Sequence, residues 1–370
     1  MGDALKDIYT SKFLQDFGYK VSTAYKKFPC EQFVASVLAH PWDELSLRAR
    51  MHRIAEILGK YLPKHYEDAL AVLFSIGENC SGFPYLFFPD FITTYGLSEE
   101  HWELSMKALE RFTQHSSSEF AIRPFILRDP ARAMKYMRQW SLHPNEHVRR
   151  FSSEGCRPRL PWSMDLPFFK KDPSPVLKVL ENLKADPSLY VRKSVANNLN
   201  DISKDNPELV LKTVKHWIGT SPDTDWILRQ GCRTLIRKAD PEALALFGYT
   251  RVTAEKPLIK NAVLTVEPNQ LHIGDSCNLH YSLDIDWETQ AHIRLEYGID
   301  FIKSNGKPSR KLFFLSDKTV AGKTHLSGTR IHRFAELTTR RHYPGMHRIV
   351  LLINGQETAQ TTLLLQEVKT

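Results

Sequence analysis

DPARAMKYMRQWSLHPNEHVRRFSSEGCRPRLPW, residues 129–162, contains the clearest indication of the fold of this chain. It begins with Asp-Pro, which is typical of a helix N-cap followed by proline at the first helical position. A second proline turn, His143-Pro144, precedes the segment VRR at 148–150. The stretch therefore predicts two helices that are joined by a short turn.

The same pattern returns along the chain. Asx-Pro dipeptides begin at residues 129, 172, 206 and 240, so the first interval is 43 residues and the next two are 34. The inner turns recur as well, because Asp186-Pro187 precedes VRK at 191–193 and Ser221-Pro222 precedes LRQ at 228–230. A helix pair repeated at this period predicts a HEAT-like α-solenoid, in which stacked pairs bury a shared core and leave one concave face for a partner.

Cations recur in the same register. Arg149, Arg192 and Arg229 occupy one position in three successive second helices, and equivalent positions of a solenoid line up on one face. Guanidinium groups along a concave surface suit a polyanion such as duplex DNA; a solvated charged face is the alternative. The cations that we predict to bind DNA from this helical part are Arg149, Arg150, Arg157, Arg159, Arg192, Lys193, Arg229 and Arg233.

Three acids lie close to these cations: Glu119, Glu154 and Asp201. A carboxylate on a DNA-facing surface repels phosphate, so it makes sense where the target is locally cationic. The alternative is an internal ion pair, since Arg150 and Glu154 are i,i+4 neighbours. Trp162 follows in a loop and could receive a cationic ring by cation–π contact; an ordinary buried tryptophan is the alternative.

Several separated segments resemble the AlkC group of the AlkC/AlkD DNA glycosylases, bacterial base-excision repair enzymes that are built from HEAT-like repeats. They include SSSEFAIRPFI, HVRRFSSEGCRPRLPW and VRKSVANNLNDISKDNPELV, and the resemblance extends from Met1 to about Tyr249. It implies double-stranded DNA as the partner and small cationic alkylated bases as the substrate: 3-methyladenine, 3-methylcytosine and, as a further candidate, 1-methyladenine. It also implies that Glu119, Glu154 and Asp201 are the active-site acids. By the same resemblance Trp162 is the aromatic wall of the site.

The implied chemistry fits these residues. A base that is already cationic is a good leaving group, so the remaining requirements are to stabilise an oxocarbenium-like sugar and to position a water, which carboxylates can do. This chemistry needs no nucleophilic lysine, no metal and no cofactor. A second hypothesis stays open, in which the chain is a non-catalytic HEAT-like DNA-binding or scaffold protein and the acids are internal ion pairs.

Composition fits a folded protein with an anionic partner. The 370 residues are 42% hydrophobic and 25% charged, with a formal net charge of +8. The five cysteines are scattered and none forms a CxxC, which argues against a disulfide framework and against zinc. The start, MGDALKDIYT, lacks an apolar signal core, and no run approaches the roughly 18 apolar residues of a membrane span. We therefore expect a cytoplasmic, nucleoid-associated monomer that binds neither a membrane nor a nucleotide cofactor.

Near residue 255 the pattern changes to alternation of apolar and polar residues. Six or seven short strands with turn residues between them, including Asn354-Gly355, predict an immunoglobulin-like β-sandwich. We thus expect an all-α HEAT-like solenoid at residues 1–254, followed by an all-β immunoglobulin-like sandwich at 255–370. The basic segment TTRRHYPGMHR offers Arg340 and Arg341 as further DNA contacts; a solvated turn between strands is the alternative.

Overall fold

The computed structural model of the protein describes residues 5–251, 258–336 and 341–368. The chain divides into two compact units, one of residues 1–210 with 217–231 and the other of 211–216 with 232–370. Helices make up the first part of the chain and strands the second, which confirms the predicted order of an all-α repeat fold followed by an all-β fold. The last two helices belong with the strands, and the predicted division at 254/255 into separate domains stays a prediction.

Sixteen α-helices are present in the described residues. They are α1 (Ser11–Ala24), α2 (Cys30–Leu38), α3 (Leu47–Tyr61), α4 (Tyr66–Gly77), α5 (Phe87–Tyr95), α6 (Trp102–Thr113), α7 (Ile122–Arg128), α8 (Pro130–Trp140), α9 (Glu146–Gly155), α10 (Pro167–Lys171), α11 (Ser174–Leu183), α12 (Leu189–Ile202), α13 (Pro207–Trp217), α14 (Pro222–Gly231), α15 (Arg233–Arg237) and α16 (Pro241–Leu246). None of the helices in the described ranges is long and apolar enough to cross a membrane.

The predicted helix pairs are α8 with α9, α11 with α12, and α13 with α14. Asp129 caps α8 as expected, since its carboxylate accepts a hydrogen bond from the backbone N–H of Arg132 at 2.9 Å. Asp172 differs by one residue: its carboxylate accepts from the backbone N–H of Ser174, where α11 begins. The first interval is longer than the others because a loop and the short helix α10 are inserted between α9 and α11.

The second helices of the pairs pack against one another, with α12 in contact with both α9 and α14. Their apolar faces are fully buried, as at Phe151 of α9, Val191 and Val195 of α12, and Ile227 of α14. Burying such a side chain stabilises the fold by about 1.5–3 kcal/mol. Polar groups carried on α9 and α12 are therefore held by a rigid frame.

The recurring arginine stabilises the recurring proline turn. The guanidinium Nη1 of Arg149 donates to the carbonyls of Pro144 and of the residue before it, at 2.7 and 3.0 Å. Arg192 repeats the arrangement with Pro187 and the residue before it, at 2.9 Å each. Arg149 also forms a two-bond ion pair with Asp186, at 2.6 and 3.1 Å. The repeated register thus has a structural role that its sequence pattern did not reveal.

Six strands are present in the described residues of the second part. They are β1 (Ile259–Glu267), β2 (Gln270–His272), β3 (Ser276–Ile302), β4 (Pro308–Arg333), β5 (Gly345–Ile353) and β6 (Gln356–Gln366). They are hydrogen-bonded in the order β1-β3-β5-β6-β2, and β4 pairs with β3. All pairs are antiparallel except β2 with β6.

The prediction of uniformly short strands is wrong for β3 and β4, which are 27 and 26 residues long. Each merges two segments that the sequence pattern separates. The pairing register of β3 with β4 shifts between Asp286 and Gln290, and again between Leu295 and Glu296. Such irregularities bend a strand and interrupt its alternation without ending it, so the sequence pattern reads one bent strand as two.

The predicted Asn354-Gly355 turn joins β5 to β6. Both residues have left-handed backbone angles, with φ of 46° and 77°, as a type I′ hairpin turn requires. A Cβ atom added at Gly355 would lie 2.4 Å from the Cβ of Ala239, in the short turn between α15 and α16. Glycine is therefore needed here for conformation and also for space.

We predict that Gly355→Ala destabilises the protein more than Gly306→Ala. Gly306 has a similar φ of 74° but nothing within 4 Å of an added Cβ, so its replacement costs about 1 kcal/mol of conformational strain. The crowding at Gly355 adds about 1–3 kcal/mol. Urea unfolding of the two variants side by side measures the difference, and equal losses would contradict the close approach to Ala239.

Candidate active site

A cavity of about 490 Å³ opens in the helical unit. Most of its wall comes from the loop before α7, from α9 with the loop that follows it, and from the first turn of α12. Its polar and aromatic lining includes Ser117, Glu119, Phe120, His147, Arg150, Glu154, Arg157, Trp162 and Tyr190. Side chains that are far apart in the sequence thus meet at one place, which we call the acid cavity.

Arg150 joins two of the acids in the acid cavity. Its guanidinium Nη1 forms an ion pair with Oε2 of Glu119, and its Nη2 lies 3.5 Å from Oε1 of Glu154, one helical turn further along α9. The side chains of all three residues are largely buried. The predicted i,i+4 pair is therefore present, but it is one part of a longer arrangement.

Arg157, which also lines the acid cavity, continues this arrangement. Its Nη1 donates to Oε1 of Glu154 at 2.6 Å, and its Nε donates to Oδ2 of Asp201 at 2.8 Å. The other oxygen of Asp201 accepts from Lys204 at 2.9 Å. Three carboxylates and three cations therefore alternate from Glu119 to Lys204, and we call them the charge chain.

Burial and pairing act in opposite directions on the two arginines. Desolvation is the largest single effect on Arg150 and lowers its pKa, but the attraction of Glu154 and Glu119 outweighs it, so the pKa is raised. The pKa of Arg157 is raised in the same way, with Glu154 and Asp201 outweighing its desolvation. Both guanidinium groups therefore stay charged at any pH near neutrality, and they keep the acids in place.

Two serines orient the carboxylates. Ser117 donates to Oε2 of Glu119 at 2.8 Å, and Ser194 of α12 donates to Oε2 of Glu154 at 2.6 Å. Both oxygens of Glu154 and both of Asp201 are thus engaged. Oε1 of Glu119 accepts no hydrogen bond from the residues that the structure describes.

Trp162 is more exposed than Phe83 and Tyr190, two other aromatic side chains that line the acid cavity. It is 65% exposed, so the alternative of an ordinary buried tryptophan does not hold. Its backbone is left-handed, with φ of 62°, a conformation that is unusual and strained for a bulky residue. The ring of Tyr190, by contrast, already carries the guanidinium of Arg150 at 5.1 Å.

Two family models match this chain, one within its helical part and one within its strand part. Residues 98–235 match the family model for DNA alkylation repair enzymes, and residues 260–367 match that for the C-terminal Ig-like domain of the uncharacterised protein YhaZ. The chain is 45% identical over 352 residues to YhaZ of Bacillus subtilis strain 168, with 95% of this chain and 96% of that protein covered. It is 37% identical to the structure of Pseudomonas fluorescens alkylpurine DNA glycosylase AlkC bound to DNA containing an abasic site analogue, with a TM-score of 0.93 over 98% of this chain and 100% of that one.

The chain belongs to the AlkC group of DNA alkylation repair glycosylases. The predicted family, the predicted enzyme class and the Ig-like identity of the strand domain are thereby confirmed. The scaffold hypothesis is disfavoured by the same comparisons.

The structure brings two of the three predicted acids of this AlkC-type enzyme into the acid cavity. Glu119 and Glu154 line it, whereas Asp201, which is as deeply buried as Glu154, does not line it and pairs with Arg157. Within the described ranges, no group of three or more His, Cys, Asp or Glu side chains is arranged to hold a metal ion. The catalytic roles of the three acids stay predictions.

The cations that are predicted to contact DNA differ in the hydrogen bonds and ion pairs that they already form within the protein. Arg149, Arg150, Arg157 and Arg192 are committed to the proline turns and the charge chain described above. Arg159 forms a two-bond pair with Asp205, at 2.9 and 2.6 Å. Lys193 and Arg341 are exposed, and Arg229 and Arg233 are half-buried. Arg340 lies outside the described residues. The role of each as a DNA contact stays a prediction.

Arg123 of α7 was not predicted as a site residue. It is fully buried, and it donates to the carbonyls of Gly155 at 3.0 Å, Arg157 at 2.8 Å and Met164 at 2.8 Å. Burial lowers its pKa to about 10. It thereby ties both ends of the loop that carries Arg157 and Trp162. The sequence signal for this role is a single arginine within the apolar run AIRPFI. A charge in such a run is expected to be buried, and a buried charge must find hydrogen-bond partners.

We predict that Arg123→Met lowers the free energy of unfolding by at least about 3 kcal/mol, because each buried carbonyl that loses its donor costs about 1–3 kcal/mol. Arg159→Met is the matched control: its pair with Asp205 is partly exposed, and such pairs contribute about 0–1 kcal/mol. Urea unfolding measures both variants. Similar losses in the two would show that Arg123 does not hold the loop.

Proposed function

We propose that this glycosylase hydrolyses the N-glycosidic bond of small cationic alkylated bases in double-stranded DNA. Its proposed substrates are 3-methyladenine and 3-methylcytosine, with 1-methyladenine as a further candidate. The observation that carries the proposal is the acid cavity, in which the carboxylates of Glu119 and Glu154 lie beside the exposed ring of Trp162. The similar P. fluorescens enzyme is bound to DNA that contains an abasic site analogue, which supports DNA as the partner here.

In the proposed reaction the N-glycosidic bond breaks, and its electron pair moves to the ring of the base. The base leaves neutral, so no general acid has to protonate it. The sugar is left as an oxocarbenium-like cation, which a preorganised carboxylate stabilises. The oxygen of a water molecule then bonds to C1′, and its proton passes to the carboxylate or to the solvent. The products are the free base and an abasic site.

The hydrogen bonds suggest different roles for the three acids. We assign the contact with the sugar or the water to Glu119, because it lines the acid cavity and its Oε1 is not engaged by the described residues. Glu154 lines the same cavity, but its Oε1 accepts from Arg157 and lies 3.5 Å from Nη2 of Arg150, and its Oε2 accepts from Ser194. Asp201 acts through Arg157, as a positioning residue.

The charge chain also explains why carboxylates on a DNA-binding surface need not repel the phosphates. Each carboxylate is paired with a cation, so the approaching phosphates do not meet an uncompensated negative charge. The pairs are formed by short hydrogen bonds within the protein, and the acids therefore need little reorganisation when the substrate arrives. Exposed cations such as Lys193 and Arg341 are proposed to contact phosphates.

Trp162 is proposed to receive the lesion. A cationic base is attracted to the face of an indole ring by about 0.5–2 kcal/mol. Tyr190 is less suited to this role, since Arg150 already lies over its ring. The positive charge that makes the base a good leaving group thus also attracts the base to the ring of Trp162.

We predict that Glu119→Gln reduces base release at least about 100-fold, as is typical when a group that stabilises developing charge is lost, while DNA affinity is kept. The assay uses duplexes with a single 3-methylcytosine or 3-methyladenine, and release is measured as strand cleavage at the abasic site. Glu67→Gln is the control, because Glu67 is exposed and does not line the acid cavity. Failure of the unaltered protein to release either base would contradict the proposed substrates, and full activity of Glu119→Gln would contradict the assignment of Glu119.

We predict that Trp162→Gly weakens binding of the lesion, and so slows base release about tenfold when the DNA is not saturating, without lowering the melting temperature. The loss of the ring removes the cation–π contact, worth about 0.5–2 kcal/mol, whereas glycine adopts the left-handed backbone of position 162 more readily than tryptophan. Parallel measurement of base release and thermal unfolding separates the two effects. A lower melting temperature with unchanged release would identify Trp162 as a structural residue.

A further inference from the structure

A second cavity of about 490 Å³ lies in the helical unit, against α8, α10 and α11. It shares no lining residue with the acid cavity. Its floor is apolar, with Met134 and Phe169 buried and Phe168 half-buried. We call it the α8–α11 groove.

Cations surround this floor. Lys135 and Arg138 are exposed on one face of α8, three residues apart, and Lys178 is exposed on α11. The side chains of Lys135 and Arg138 form no ion pair with any residue that the structure describes. The cations of the acid cavity, in contrast, are bound to carboxylates.

Two carboxylates also lie at the rim of the α8–α11 groove, but both cap helices. Asp129 accepts from the backbone N–H of Arg132 at 2.9 Å, and Asp172 accepts from that of Ser174 at 3.0 Å. The positive end of each helix dipole offsets the charge of its capping carboxylate. Asp172 is also attracted to Lys178, so the excess positive charge around the apolar floor comes mainly from Lys135 and Arg138.

We propose that the α8–α11 groove is a docking site for an acidic peptide segment of a partner protein. One aromatic or large aliphatic side chain of the segment fills the floor between Met134, Phe168 and Phe169. Carboxylates on either side of it pair with Lys135, Arg138 and Lys178. The volume of the groove lies within the range of pockets that hold compact ligands, so it has room for one large side chain, and an aromatic anchor in a pocket is typical of interfaces that concentrate their energy in a few residues.

Charge complementarity favours an acidic protein segment over DNA. Phosphates would satisfy the three cations but would leave the apolar floor unfilled, whereas a peptide satisfies both. Because the two cavities have no residue in common, the partner can be bound while a damaged base occupies the acid cavity. The groove would then connect base excision to another protein without competing for the lesion.

The test is fluorescence anisotropy with the full-length protein and a short labelled peptide in which aspartates flank a central Phe. Binding is expected, and it should weaken at least tenfold when Lys135→Glu and Arg138→Glu are combined. The central Phe of the peptide should be required, so a peptide with Ser in its place should bind at least tenfold more weakly. The matched control combines Lys26→Glu with Lys27→Glu, two exposed lysines outside the groove, and should bind the peptide normally. Base release from a methylated duplex should be unchanged in both double variants.

The other outcomes would overturn the proposal. Absence of binding up to millimolar concentration, or equal weakening in the control variant, would remove the docking site. Displacement of the peptide by undamaged duplex DNA, with loss of DNA affinity in the Lys135→Glu, Arg138→Glu variant, would identify the groove as a DNA contact. Self-association in sedimentation that this variant abolishes would identify a second copy of the chain as the occupant.

Discussion

The guanidinium of Arg157 is the group on which the acid cavity depends. It lies just beyond the end of α9, and it bridges Glu154 of α9 to Asp201 of α12. Removing charged groups from water costs several kcal/mol per ion, and only well-formed pairs offset that cost. The site is therefore specified by geometry: if the loop moves, the buried carboxylates of Glu154 and Asp201 each lose the ion pair with Arg157. Arg123 prevents this, because it binds the carbonyl of Arg157 itself.

An arginine that stabilises the repeat and an arginine that lines the acid cavity occupy adjacent helix positions. Arg149 and Arg192 occupy equivalent positions and bind the proline turns in the same way. Adjacent residues on a helix point in different directions. Arg150, next to Arg149, therefore reaches into the acid cavity, where it meets Glu119 and Glu154. A position that stabilises the solenoid and a position that lines the acid cavity thus follow one another in the sequence HVRRFSSE.

Sequence reasoning succeeded where a local signal has one physical cause. Asx-Pro dipeptides predict helix starts because capping and the fixed φ of proline act within a few residues, and Asn354-Gly355 predicts a hairpin turn for a similar reason. It failed where the outcome depends on distant partners. The pairing of Asp201 with Arg157 and the role of Arg123 both follow from groups that lie 32 to 44 residues away in the chain, and the ion pair of Arg149 with Asp186 spans 37 residues. The lengths of β3 and β4 were missed because bends hide the continuity of a strand.

The strained backbone at Trp162 has an explanation in this arrangement. A bulky residue in the left-handed region costs roughly 1–2 kcal/mol, and the fold gains little buried area from a residue that is 65% exposed. The conformation persists because the loop is held on both sides, at Arg157 and at Met164, by Arg123. The fully buried Arg123 therefore stabilises a conformation that benefits the cavity and not the core. A strained conformation of this kind is expected where a side chain must be presented to a ligand. It supports the proposal that the ring of Trp162 is preorganised to bind the damaged base.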